Sequence, residues 1–109
     1  MISSAVALLL AVHLGQASDT TRAAREAFTA CLRTYVDQSL NDQTTVEAFQ
    51  TAYPQQCGAQ EAAFRDAVIR RETSARASRA DAEQAARDEI EDARTNFRER
   101  FEMAMQPQA

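Results

Sequence analysis

Apolar residues after position 18 fall into groups spaced for one face of an α-helix. Steps of three and four residues put side chains on a common helix face, and the first group continues this spacing through Phe28, Cys31, Leu32, Tyr35 and Ser39. Ser18 or Asp19 can cap the start of such a helix, and the polar residues 41–43 end it. We therefore predict a first helix from residue 18 or 19 to Leu40.

A second, shorter helix is predicted to begin at Thr44. Thr44 followed by Glu47 matches the capping box, in which two side chains satisfy free backbone amides at a helix start. Pro54 should end this helix, because proline has no amide hydrogen and disfavours the helical conformation of the residue before it. The apolar side chains that would share one face are Val46, Phe49 and Tyr53.

The third predicted helix begins near Pro54 or after Gly58 and runs to about Met105 without another Gly or Pro. Its length of about 45 residues corresponds to roughly 70 Å at 1.5 Å per residue. Residues 70–89 carry no apolar side chain larger than Ala. They should nevertheless be helical, because Ala favours helix and acidic residues repeatedly precede arginines by four positions.

Apolar side chains return in the second half of this long helix, at Ile90, Phe97, Phe101 and Met105. The first helix, with about 22 residues, would reach only half as far as the third. We therefore expect residues 70–105 to protrude, and these four side chains to form an exposed stripe that contacts a partner.

The expected fold is all-α: a small cluster of two shorter helices and one long C-terminal helix of about 45 residues, pinned by one disulfide. Cys31 and Cys57 are the only cysteines, and an even, low count in an exported protein indicates a disulfide. The domain organisation would be a signal peptide at 1–17, a single helical domain at 18–105 and a disordered tail at 106–109.

The export prediction rests on the N-terminal segment. Residues 5–14 form an apolar run interrupted only by His13, and Gly15 and Ala17 supply small residues at positions −3 and −1 of a cleavage site. Ten apolar residues are too few to span a bilayer comfortably. The segment lacks the usual basic residue at its start, so an uncleaved anchor is the main alternative, and a buried N-terminal helix is the other. We expect a periplasmic or secreted protein, with membrane contact only if residues 1–17 are retained.

Composition excludes several classes of function. The net charge is −4, and all 12 basic residues are Arg, whereas nucleic-acid-binding proteins usually carry a basic surface. After removal of residues 1–17 the chain has no His, Lys or Trp. It therefore lacks the most common general base and nitrogen metal ligand, which is His, and the usual amine nucleophile, which is Lys. We therefore expect no catalytic residue, no metal ligand, no cofactor and no nucleic-acid partner.

Charge along the long helix suggests one possible partner. Residues 65–79 hold five Arg against two acids, and residues 81–92 hold six acids against one Arg. The simplest interpretation of these charges is a solvated helix face. Two copies lying antiparallel would also place each basic block against an acidic one, so a homodimer is one expectation for a partner and another envelope protein is the other. The function predicted is a small, exported, non-enzymatic interaction or structural protein. The alternative is a holdase-like envelope chaperone that binds unfolded clients through the apolar stripe.

Overall fold

The computed structural model describes the backbone of residues 3–107, and the side chains of residue 16 and residues 18–107. Throughout this range the chain is helical, with short turns and no strand, which confirms the all-α class. The elements are α1 (Ser3–Asn41), α2 (Val46–Ala52), a 3-10 turn (Tyr53–Gln55), α3 (Gly58–Ser74) and α4 (Arg79–Ala104).

Helix α1 begins earlier than predicted, at Ser3 rather than at residue 18 or 19. Of the predicted signal peptide, residues 1–17, the structure describes the backbone of residues 3–17 and the side chain of Gln16. Its cleavage stays a prediction. At the other end, α4 ends at Ala104, and Gln106 and Pro107 lie outside any helix. The last two residues of the predicted tail, 108 and 109, are also outside the described range.

The second helix begins one residue later than predicted. Thr45, not Thr44, is the N-cap, and its side chain accepts a hydrogen bond from the amide of Ala48 at 3.1 Å. Glu47 lies in the first turn, where a negative charge favours the helix dipole. Pro54 lies inside the following 3-10 turn, and α2 ends before it as expected.

The prediction of one continuous helix of about 45 residues was wrong, because residues 75–78 form a turn between α3 and α4. Arg76 adopts the left-handed conformation with φ 72°. The amide of Ala77 donates to the carbonyl of Glu72 at 2.9 Å, and that of Arg76 to Thr73 at 3.0 Å. These two bonds form a Schellman motif, which ends a helix and satisfies its last carbonyls.

The next helix is capped directly after this turn. The Ser78 side chain accepts a hydrogen bond from the amide of Asp81 at 3.1 Å, which makes Ser78 the N-cap of α4. Glycine usually occupies the left-handed position of a Schellman motif, and here Arg76 occupies it instead. A search for Gly and Pro as helix breakers therefore misses this turn.

Helices α1, α3 and α4 pack side by side as a three-helix bundle, and α2 and the 3-10 turn cover one end. Contacts between α1 and α3 run in opposite sequence order, from Cys31 with Cys57 to Thr21 with Ala67. Those two helices are therefore antiparallel. Because α3 and α4 are joined by a tight turn, α4 runs back parallel to α1.

The protruding, exposed stripe was also a wrong prediction. Phe101 is fully buried and Phe97 is only 5% exposed. The turn at residues 75–78 folds α4 back onto the other helices, where the Phe101 ring stacks on Phe49 with centroids 3.9 Å apart. The core thus draws on every helix; its larger side chains are Phe28, Leu32, Val36, Phe49, Tyr53, Phe64, Val68, Ile69, Phe97 and Phe101.

Candidate functional site

The predicted disulfide is present. Cys31 in α1 and Cys57, immediately before α3, are joined with a Cα–Cα distance of 6.0 Å. Both cysteines are half-buried. Cys57 has φ 62°, a left-handed conformation that costs energy for a residue with a Cβ. The bond therefore fixes the start of α3 against the middle of α1, close to the aromatic core.

Arg94 is a half-buried ionic centre with a structural role. Its guanidinium donates to Glu61 Oε1 at 2.6 Å, to the Gln56 carbonyl at 2.7 Å and to the Tyr53 carbonyl at 3.2 Å. The Tyr53 hydroxyl donates back to the Arg94 carbonyl at 2.7 Å. Burial raises the pKa of Tyr53, although the nearby guanidinium of Arg94 acts in the opposite direction. Arg65 follows Glu61 by four positions, a spacing that allows an ion pair within one helix, but Glu61 pairs with Arg94 of α4 instead.

A second ionic cluster joins three helices around Glu89. Arg25 of α1 donates to Glu89 Oε1 at 2.5 Å, and Arg71 of α3 donates to Glu89 Oε2 at 2.6 Å. Partial burial acts to raise the pKa of Glu89, but the hydrogen bonds from Arg71 and Arg25 outweigh it and lower the pKa. The basic and acidic blocks noted in the sequence therefore meet within one chain, across the α3–α4 turn.

The structure does not bring the four residues of the predicted contact stripe onto one exposed surface. Phe97 and Phe101 belong to the core. Ile90 is half-buried in a groove between α3 and α4, beside Arg65 and Arg98. Met105 is exposed, at 38%, beyond the end of α4. A client-binding patch built on the two phenylalanines, as the chaperone alternative required, is therefore not available on this fold.

A different surface lies along the groove between α1 and the outer side of α4. The guanidinium carbons of Arg33 and Arg100 lie 5.7 and 5.6 Å from the ring centroid of Phe97. Met103 lies beside them and is 70% exposed, the highest value among the large apolar side chains described. Across Asn96 the groove continues to Asp92 and Glu89. Glu99 also lines the first end of this groove and is exposed. That end therefore holds two basic groups and one acidic group beside exposed apolar area, and the other end carries Asp92 and Glu89.

Sequence reasoning missed this surface because it followed the other face of the same helix. Positions 90, 93, 97 and 101 point into the bundle, whereas Asp92, Asn96, Arg100 and Met103 follow the same helical spacing on the exposed face. The signal that could have found it is the change of charge along that face, from acid at 92 to base at 100. Arg33 could not have been added without knowing that α1 packs beside α4.

Among the described residues, no group of three or more His, Cys, Asp or Glu side chains is placed to hold a metal ion. None of the helices in the described part combines the length and apolar character needed to cross a membrane.

Comparison with protein-family models, with curated proteins and with solved structures found no match to this chain. The function is therefore inferred from the residues of this chain alone.

Proposed function

We propose that this chain is a small, exported, non-enzymatic interaction protein that acts in the periplasm or outside the cell. One observation carries the proposal: all described members of the core lie within residues 24–101, and the Cys31–Cys57 disulfide cross-links this region. A stable disulfide is typical of oxidising compartments. No described member of the core lies before Ala24, so removal of residues 1–17 is compatible with this core.

The surface supports a binding role rather than catalysis. The charged clusters around Arg94 and Glu89 are neutralised by ion pairs within the chain, and they join helices to one another. The exposed groove with Arg33, Arg100 and Met103 offers positive charge and apolar area to a partner, which is the combination found where proteins contact one another.

Intact-mass measurement of the protein recovered from the periplasm of an expressing bacterium tests this proposal. We expect a mass that lacks residues 1–17 and two hydrogens, since cleavage after Ala17 and disulfide formation each leave a defined mass change. The matched variant Ala17→Arg places a large charged residue at the cleavage position and should retain residues 1–17. A wild-type protein that stays in the cytosol with both thiols reduced would contradict the proposal.

A further inference from the structure

The exposed face of α4 carries charges in an order that suits a second copy of the same helix. At 100° per residue, Asp92, Asn96, Arg100 and Met103 lie within an arc of about 80°. All four residues are exposed. Asp92 and Arg100 are separated by eight residues, or about 12 Å along the helix axis, with Asn96 midway between them. The acidic and basic ends of this face are therefore equally distant from Asn96.

The charges on this face are not used by ion pairs within the described part of the chain. Asp92, Arg33 and Arg100 have no oppositely charged group within 4.0 Å among the described residues, in contrast to Arg25 and Arg71, which hold Glu89. Arg33 and Arg100 instead lie over the Phe97 ring. A cation over an aromatic ring keeps its positive charge, and both guanidiniums can still receive a carboxylate.

A twofold axis through Asn96 makes this face complementary to itself. Two antiparallel copies of α4 related by that axis place Asp92 of each copy at the height of Arg100 of the other. The row of residues 92, 96 and 100 is inclined by about 26° to the helix axis, so the two side chains lie directly opposite each other when the helices cross at about 50°. Asn96 meets Asn96, and an amide can donate to its symmetry mate and accept from it. Contacts of this kind, in which the same patch serves both subunits, are the commonest form of homodimer interface.

We propose that a second copy of this chain docks antiparallel on the α1–α4 face, with Asp92 of each copy bound by Arg100 and Arg33 of the other. This proposal deepens the proposed interaction function and rests on it. Met103, at 70% exposure, supplies apolar area next to the charged pairs. The contact is largely polar, so rising salt concentration weakens it by screening.

Sedimentation velocity of the disulfide-bonded protein over a range of concentrations tests the dimer. The wild type should dimerise at low salt and dissociate as NaCl is raised. Asp92→Arg and Arg100→Asp should each weaken the dimer by about tenfold or more, because each replaces two symmetry-related attractions by repulsions. The control variant Asp66→Arg makes the same charge change on an exposed position of α3 and should dimerise as the wild type does.

Charge exchange provides the decisive arm of the experiment. An equimolar mixture of the Asp92→Arg and Arg100→Asp proteins should form a heterodimer, because both pairs between positions 92 and 100 are then attractive. The double variant should dimerise alone. Both dimers should be weaker than that of the wild type, because the new Arg at position 92 faces the unchanged Arg33. A wild type that stays monomeric at every concentration, or single variants that dimerise unchanged, would overturn the proposal. A monomer that lacks residues 1–17 and carries the disulfide would overturn only the dimer and leave the proposed exported interaction protein standing.

Discussion

At the scale of single residues, Arg94 connects parts of the chain that are distant in sequence. From α4 it binds a carboxylate of α3 and two carbonyls around the 3-10 turn. Its guanidinium also lies over the rings of Phe28 and Tyr53, at 5.3 and 5.5 Å from their centroids. Only 15% of the Arg94 side chain is exposed. Its loss would leave several polar partners without their donor close to the aromatic core.

We therefore expect Arg94→Met to lower the free energy of unfolding by roughly 2–3 kcal/mol, since a half-buried carboxylate and two carbonyls lose their donor. Urea denaturation followed by circular dichroism measures this change. Arg98→Met is the matched control one helical turn further on, because Arg98 is 44% exposed and lies 4.0 Å from Glu102. An exposed pair of that kind should be worth less than about 0.5 kcal/mol. Equal losses in the two variants would contradict the assigned role of Arg94.

Glu89 gives the fold a dependence on pH. Its pKa is lowered in the folded protein, where the hydrogen bonds from Arg71 and Arg25 outweigh burial. A group with a depressed folded pKa contributes stability that is fully present above its unfolded value of about 4.3 and is lost as pH falls through the folded pKa. We expect Glu89→Gln to be less stable than the wild type at pH 7, with the difference shrinking as the pH is lowered below 4.

Denaturation curves of both proteins at pH 7, 5 and 3 measure this difference. Arg71→Gln should reduce the same pH dependence, because it removes one of the two donors that lower the Glu89 pKa. A gap between the wild type and Glu89→Gln that stays constant from pH 7 to pH 3 would show that Glu89 does not titrate differently on folding.

At the scale of elements, the turn between α3 and α4 determines whether a glycine at position 76 raises or lowers the stability of the protein. Arg76 has φ 72°, and a left-handed residue with a side chain costs about 1–2 kcal/mol, which Gly avoids. Arg76→Gly should therefore stabilise the protein or leave it unchanged, after the larger backbone entropy of Gly is included. In a continuous helix the same substitution would cost about 1 kcal/mol.

Arg70→Gly is the matched control for this turn, because Arg70 is an exposed arginine inside α3. It should lose about 1 kcal/mol, the cost of Gly in a helix interior. Urea denaturation of the two variants measures and compares their free energies of unfolding. A loss of similar size in Arg76→Gly would mean that the helix continues through residue 76.

Some elements of this fold could be predicted from the sequence, and the α3–α4 turn could not. Apart from the start of α1, helices α1 and α2 follow from apolar spacing and from Pro54, and the disulfide follows from the two cysteines. The α3–α4 turn was missed because its left-handed position holds Arg76 rather than Gly. One signal was present: Ser78 followed by Asp81 is the S-x-x-D pattern of a helix start. In an Ala- and Arg-rich segment with high helix propensity, that local signal competes with continuation of the helix.

At the scale of the whole molecule, this one turn changes both the core and the surface. It folds α4 back, so that Phe101 stacks on Phe49 and Phe97 joins the same core instead of facing solvent. It also turns the opposite face of α4 outward, where Asp92 and Arg100 lie. The candidate site could not be predicted from spacing alone, because the direction in which α4 faces is set by contacts between residues that are distant in sequence.

The last prediction concerns the contribution of the disulfide to the stability of the whole chain. A bond between residues 26 apart in sequence lowers the entropy of the unfolded chain by an amount worth about 3.5 kcal/mol. We expect Cys31→Ala with Cys57→Ala to lose stability of this order in urea denaturation, and reduction of the wild type to have a similar effect. The control Gln60→Ala changes a residue that lines a surface groove together with Cys31 and Cys57, and it should change stability by less than about 0.5 kcal/mol.

The contacts between helices that do not involve the disulfide determine whether the reduced protein stays folded. The α3–α4 turn, the Arg94 centre and the Glu89 cluster do not involve the cysteines, so they should hold the bundle together after reduction, with lower stability. Helical circular dichroism should therefore persist without denaturant, while the urea midpoint falls. Complete loss of helix on reduction would mean that the disulfide is required for folding, because the ionic and aromatic contacts would then be too weak to offset the entropy of the open chain.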